Sequence, residues 1–195
     1  DEFWEILVGI KKASDEAGIR IVTGDTKVVE RGKGDKIFIN TSGIGHIHPK
    51  ANIHASRVRP GDKIIVSGPV AQHGVAILSV RQGLEFETTV LSDTRPLWKP
   101  VGELLDELGD DLHFLRDPTR GGVATVLSEL AQQANVGVEI VQQSIPLDDQ
   151  VEGACEMLGL DPLYVANEGI FIAIVRADRA DRRGVRTAGA RMALR

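Results

Sequence analysis

His113-Phe114-Leu115-Arg116-Asp117-Pro118-Thr119-Arg120-Gly121-Gly122 runs directly into Val123-Ala124-Thr125-Val126-Leu127-Ser128-Glu129-Leu130, and this stretch decides the fold class. His113-Phe114-Leu115 reads as a short strand. Val123, Val126, Leu127 and Leu130 recur at helical spacing, so residues 120–134 read as an amphipathic helix. Between them Asp117 is an ideal N-cap and Pro118 suits a first helical position. A strand turned tightly into a helix belongs to a layered mixed fold, not to a helical bundle or a β-sandwich.

The same alternation continues on both sides. Downstream, 138–141 reads as a strand, 148–158 as a helix and 170–175 as a strand of near-continuous apolar character. Upstream, helices are expected over 97–108 and 73–82, and a buried strand over 63–67 after Pro60-Gly61-Asp62. Residues 43–60, rich in Gly, His, Pro and Arg, read as a linker. Before it, apolar residues from Phe3 to Ala17 predict a helix stopped by Gly18. Short strands are expected over 18–22, 27–29 and 37–40. The fold class is therefore α/β or α+β.

Composition excludes several functional classes. The 195 residues carry 23 basic and 28 acidic side chains, a net charge of −5, which speaks against a nucleic-acid surface. No apolar run approaches the roughly 20 residues that span a bilayer. Hydrophobic residues make up 42% of the chain, enough for a core, but aromatics only 4%, so Val, Ile, Leu and Ala must fill it. The single cysteine, Cys155, rules out a disulfide framework and a multi-cysteine zinc site, and the cytoplasm is the expected compartment. The net charge conceals a split, because residues 176–195 hold seven Arg, two Asp and no Lys.

Three segments have residue types suited to chemistry. Thr23-Gly24-Asp25-Thr26-Lys27 follows an expected strand, where ligand loops tend to lie. There Asp25 suits magnesium and Lys27 suits phosphate, although Gly-Asp is also an ordinary turn. At residues 116–122, Asp117 and Pro118 are accounted for by helix capping. Arg116, Arg120 and two successive glycines are not, and they suit a phosphate at a helix N-terminus. The segment reads equally well as a cap and as a ligand site. In Ala166-Asn167-Glu168-Gly169, Glu168 suits a general base or metal ligand and Asn167 a substrate-orienting amide, with a plain turn as the alternative. His46, His48, His54 and His73 lack metal-ligand spacing, and Cys155 reads as a small buried helix residue.

Taken together, these segments resemble the HypE family of hydrogenase expression/formation proteins. The resemblance is carried by Val22-Thr23-Gly24-Asp25-Thr26-Lys27-Val28-Val29, Arg59-Pro60-Gly61-Asp62, Gly83-Leu84-Glu85-Phe86-Glu87-Thr88, residues 116–122 and residues 159–169. It runs from about residue 1 to 175. The wider superfamily holds aminoimidazole ribonucleotide synthetase, selenophosphate synthetase and thiamine-monophosphate kinase.

The resemblance implies a two-domain, PurM-like fold. Residues 1–48 would be the end of the N-terminal ATP-binding domain, 49–175 the C-terminal domain, and 176–195 an atypical Arg-rich tail. It implies a homodimer that uses ATP and Mg2+ to dehydrate the S-carboxamide of a C-terminal cysteine to a thiocyanate. That step serves the iron cyanide ligands of NiFe hydrogenase. The carbamoyltransferase HypF and the HypC–HypD complex are the implied partners, with neither nucleic acid nor membrane involved. On matching positions it implies catalytic Glu168, Asn167 and Lys27. Thr26, Thr119, Arg120 and Gly121 would bind nucleotide, and Asp25 and Asp117 would hold metal.

Two implied parts, the Gly-rich nucleotide loop and the acceptor cysteine, are not among these 195 residues, so the chain alone is expected to be inactive. Gln72 stands where the family pattern has Asp. Two other functions are open to the same motifs: a small-molecule kinase or synthetase of the superfamily, and a non-catalytic dimeric scaffold for maturation partners.

Overall fold

The computed structural model describes residues 2–34, 36–83, 90–180 and 191–194. The motif residues 84–88 and part of the Arg-rich tail lie outside these. The chain divides into two compact units, Asp1–Ile47 and His48–Arg195.

In the first unit the expected helix forms as α1, Glu2–Ala17. The Gly18 and Ile19 N–H groups return to Asp15 and Ser14 carbonyls and close it. The strands expected over 18–22, 27–29 and 37–40 do not form. A strand is held by ladder hydrogen bonds to a neighbour, and none of the described residues supplies one here. Val22, Val28 and Phe38 are exposed.

The second unit is built on a five-stranded antiparallel sheet. Its strands are β1 (Lys63–Val66), β2 (Leu112–Arg116), β3 (Val138–Glu139), β4 (Ile172–Val175) and β5 (Arg191–Leu194), in spatial order β2-β4-β1-β5-β3. Its helices are α2 (Gln72–Gln82), α3 (Trp98–Leu108), α4 (Gly122–Ala134) and α5 (Asp149–Leu158). Strand alternation sends Ile64 and Val66 to one face and Ile65 to the other. On the first face they join Ile172, Ile174 and Phe114 against Val75 of α2, Val123, Val126 and Leu130 of α4, and Val151 and Cys155 of α5. On the second, Ile65, Ala173 and Val175 pack with Leu104, Leu105 and Leu108 of α3. Helices thus cover both faces of the sheet, which is why β4 is buried throughout and reads as an unbroken apolar run.

Within the segment read as an Arg-rich tail, Arg191–Leu194 pairs with β1 on one side and β3 on the other. Ladder bonds are made by the main chain, so an Arg-rich composition does not prevent strand formation. Residues 43–60 are not simply a linker. Ala55 and Val58 enter the core, and a 3₁₀ turn at Ala55–Arg57 is capped by the His54 side chain, which accepts the Ser56 N–H. At the entry to β1, the buried Asp62 carboxylate lies 2.7 Å from His113 Nδ1 and accepts the Arg59 N–H. No helix among the described residues is long and apolar enough to cross a membrane.

Candidate functional site

Asn167 is the hub of the site. Its side chain is 0% exposed, and every polar atom on it is used. Oδ1 accepts the Ala71 N–H at 2.8 Å, and Nδ2 donates to the Pro118 and Val165 carbonyls, each at 3.0 Å. The Asn167 main-chain N–H also donates to Pro118, and the Gly74 N–H donates to the Ala166 carbonyl. One amide therefore joins three loops: the turn before α2, the turn before α4, and residues 166–169. Ala71 itself has φ +72, a left-handed backbone rare outside glycine, and Asn167 holds it there. A side chain so enclosed positions the site; it is not free to orient a substrate.

The start of α4 differs from the expected cap. The helix begins at Gly122, its cap residue is Gly121, and no side chain caps it. Asp117 and Pro118 fall in the preceding turn because Gly121 and Gly122 both take positive φ, +71 and +61. The close approach matters as much as the dihedral angle. A Cβ on Gly122 would overlap the Leu163 carbonyl and lie 2.7 Å from that of Val165. Glycine lets the helix end press against residues 163–165 and leaves its amides flanked by Thr119 and Arg120. The Gly122 N–H is taken by the Thr119 carbonyl at 3.2 Å, so it is the Gly121 amide and the uncapped helix start that suit an anion. Arg116 pairs with Glu129, whereas Asp117 and Arg120 are exposed and take no ion pair among the described residues.

Glu168 is held through its main chain. Its N–H donates to Asp93 Oδ1 at 3.1 Å, and the following Gly169 carbonyl accepts Arg95 Nε at 2.8 Å. Its carboxylate is exposed and takes no hydrogen bond or ion pair among the described residues. The loop that holds it also reaches α2, since Ser92 Oγ lies 2.8 Å from His73 Nδ1 and 2.6 Å from Thr94 Oγ1. A cavity of about 250 Å³ lined in part by Gln72, Ser92 and Asp148 opens there, and Gln72 donates to Asp148.

The structure thus gathers Asp117, Thr119, Arg120, Gly121, Asn167 and Glu168 around the Pro118–Asn167 contact. Asp25, Thr26 and Lys27 lie in the first unit, exposed and outside helix and strand, where Asp25 Oδ1 accepts the Thr26 N–H at 2.8 Å. Among the described residues no three metal-ligating side chains cluster. Cys155 is buried in α5, and desolvation first, then the charge of Asp161, pushes its thiol pKa up, so it is not an activated nucleophile. Sequence reasoning missed Asp93 and Arg95. Ser92-Asp93-Thr94-Arg95-Pro96 carried only the signal of a polar loop, and the contacts of Asp93 and Arg95 with residues 168 and 169 lie over seventy residues away.

Family models match most of the chain. Residues 59–188 match the AIR synthase related protein, C-terminal domain, and residues 1–47 the corresponding N-terminal domain. The carbamoyl dehydratase HypE of Azotobacter vinelandii is 50% identical over 177 residues, covering 91% of this chain and 52% of that protein. A crystal structure of a HypE–HypF complex superposes with a TM-score of 0.91 at 39% identity, covering 99% of this chain and 66% of the other. HypE in complex with ATP gives 0.90 at 43% identity, covering 97% and 59%. The chain spans about half the length of the curated relatives it matches.

Proposed function

The chain belongs to the AIR synthase-related family and matches its HypE members, and from that premise we propose that it supplies part of an ATP-dependent carbamoyl dehydratase of hydrogenase maturation. The observation that supports this reading is the Asn167 hub, whose hydrogen bonds tie the 166–169 segment, with the exposed carboxylate of Glu168, to the Pro118 turn that leads into the uncapped start of α4. The solved relative bound to ATP supports nucleotide use, and the relative solved with HypF supports that carbamoyltransferase as partner. Residues 1–48 would belong to the N-terminal domain and 49–175 to the C-terminal one, whose sheet β5 completes. A homodimer, the HypC–HypD complex as cyanide acceptor and a cytoplasmic setting belong to the same proposal.

The chemistry asked of these residues is dehydration of a thiocarbamate, R–S–C(=O)–NH2, to R–S–C≡N. ATP supplies a phosphoryl group to the amide oxygen, so that the oxygen can leave as phosphate. Both amide protons must be removed as the second and third carbon–nitrogen bonds form and the carbon–oxygen bond breaks. Glu168 would be the base, taking one proton at a time and releasing it to solvent between the two removals. Arg120, Thr119 and the Gly121 amide would hold phosphate oxygens, and Lys27 would neutralise phosphate charge. Asp25 in the first unit and Asp117 in the second would each be a Mg2+ ligand, since that ion takes one or two carboxylates when phosphates and water complete its shell. Asn167 would keep Glu168 and the α4 start in register.

The test is a chimera in which this chain replaces the matching segment of the Azotobacter vinelandii relative. It should convert the carboxamide to thiocyanate with ATP, read as loss of one water by mass spectrometry. Glu168→Gln should lower that rate by about a hundredfold or more. An inactive parent chimera that is folded would overturn the reading, and a fully active Glu168→Gln would remove Glu168 as the base.

A further inference from the structure

We propose that Asp93 is a positioning residue for Glu168, acting from a loop that the function so far leaves unused. The inference rests on Glu168 being the base. Residues 168 and 169 are gripped at both ends from the 92–95 loop. Asp93 Oδ1 accepts the Glu168 N–H, and Arg95 Nε donates to the Gly169 carbonyl. Between these two bonds the chains touch main chain to main chain, because a Cβ on Gly169 would overlap the Asp93 carbonyl. Any larger residue at 169 would push the loops apart and break the grip. Position 169 is therefore glycine for contact and not for dihedral freedom.

The grip fixes the backbone and leaves the Glu168 side chain free, which is what a base needs if it is to be aimed without being neutralised. Asp93 suits the task better than a neutral acceptor, since a carboxylate makes a charge-assisted bond to an N–H. Its second oxygen, Oδ2, is buried and has no hydrogen-bond partner among the described residues. An unmatched buried acceptor is a cost that packing alone does not explain. The same loop is tied to α2 through Ser92 and His73, so it joins residues 168 and 169 to the helix that follows the Ala71 turn. Asp93 thus reinforces from outside the register that Asn167 sets from inside.

In the chimera, Asp93→Ala should lower kcat for thiocyanate formation about tenfold to a hundredfold, the scale expected when a reacting group is misplaced by about an ångström, while KM for ATP stays within about twofold. Asp93→Asn, which keeps an oxygen for the Glu168 N–H, should recover most of the rate. In a Glu168→Gln background Asp93→Ala should cost little more, because the two act as one unit. An unchanged kcat in Asp93→Ala, or full additivity of the two losses, would overturn the inference.

Amide exchange in this chain by NMR keeps the two readings apart. The Glu168 N–H should be protected in the parent and exchange about tenfold faster or more in Asp93→Ala. If Glu168→Gln is fully active while this protection holds, the base assignment fails and the grip stands. If Asp93→Ala does not fold, the parent decides, because a Glu168 amide exchanging as fast as an open loop rules the grip out.

Discussion

The Asn167 N–H and the Asn167 Nδ2 both donate to one oxygen, the Pro118 carbonyl, at 3.3 and 3.0 Å. Both lone pairs of that oxygen are therefore filled by a single residue, and proline has no N–H with which to reciprocate. Asn167→Ala would strand the Ala71 N–H and the Val165 carbonyl and leave Pro118 half-satisfied. The loss should be on the order of 3 kcal/mol, read as a lower urea midpoint of this chain. Asn167→Asp should be at least as damaging, because it turns a second oxygen toward two carbonyls. A midpoint unmoved by Asn167→Ala would refute the clasp.

Glycine-to-alanine changes should have opposite signs at two positions. Gly122→Ala meets two carbonyl oxygens at a positive φ and should destabilise by about 2 kcal/mol or more. Gly153→Ala, inside α5 with nothing within 4 Å of the added carbon, should stabilise by about 0.5–1 kcal/mol. Thermal melts of the two variants test this directly.

Burial and the nearby Asp161 hold the Cys155 thiol protonated to a higher pH in the folded chain than in the unfolded one. Above the ordinary thiol value of 9.0 the unfolded state sheds its proton first, so Cys155 takes away stability as pH rises past that point. Urea midpoints of the parent and of Cys155→Ala should therefore diverge less at about pH 10 than at about pH 8. A gap independent of pH would show that the thiol is not held protonated. Thiol reagents should label the folded chain far more slowly than the chain in urea.

Gln72 donates to the Asp148 carboxylate at the mouth of the cavity beside α2. Gln72→Asp, which restores the residue type of the family pattern, would set two carboxylates against each other. The expected cost is a few tenths of a kcal/mol, shrinking as salt is added. A cost that does not respond to ionic strength would point to lost packing instead of repulsion. The departure at residue 72 is thus paired with the residue at 148 in this chain.

Periodicity made most of the second unit legible. The spacing of Val123, Val126, Leu127 and Leu130 fixed the helix and its buried face, and the unbroken apolar run ending at Val175 announced a strand covered on both sides. Strands in residues 18–47 were not recoverable, because local apolar character shows β tendency but not the neighbour that completes a ladder. β5 was missed for the converse reason, since its pairing owes nothing to the Arg-rich composition that marked the tail. Within the site, the charged residues Asp117, Arg120 and Glu168 were readable from chemical type. The cap at Asp117 was not, because two positive-φ glycines put the cap four residues on, at Gly121. Asn167 was readable as a polar site residue, but its enclosure was not, as a residue type does not disclose its burial. Asp93 and Arg95 were missed because a loop's distant partners leave no periodic trace.

The hydrogen bonds at residues 168 and 169 all engage the main chain, so the address of the reactive group is written independently of its occupant. Position 168 can then be exchanged for a side chain of other reactivity, such as a photo-crosslinker or a thiol, and still be delivered to the same place. That makes it a fixed reporting point beside the α4 start, from which whatever docks there can be captured.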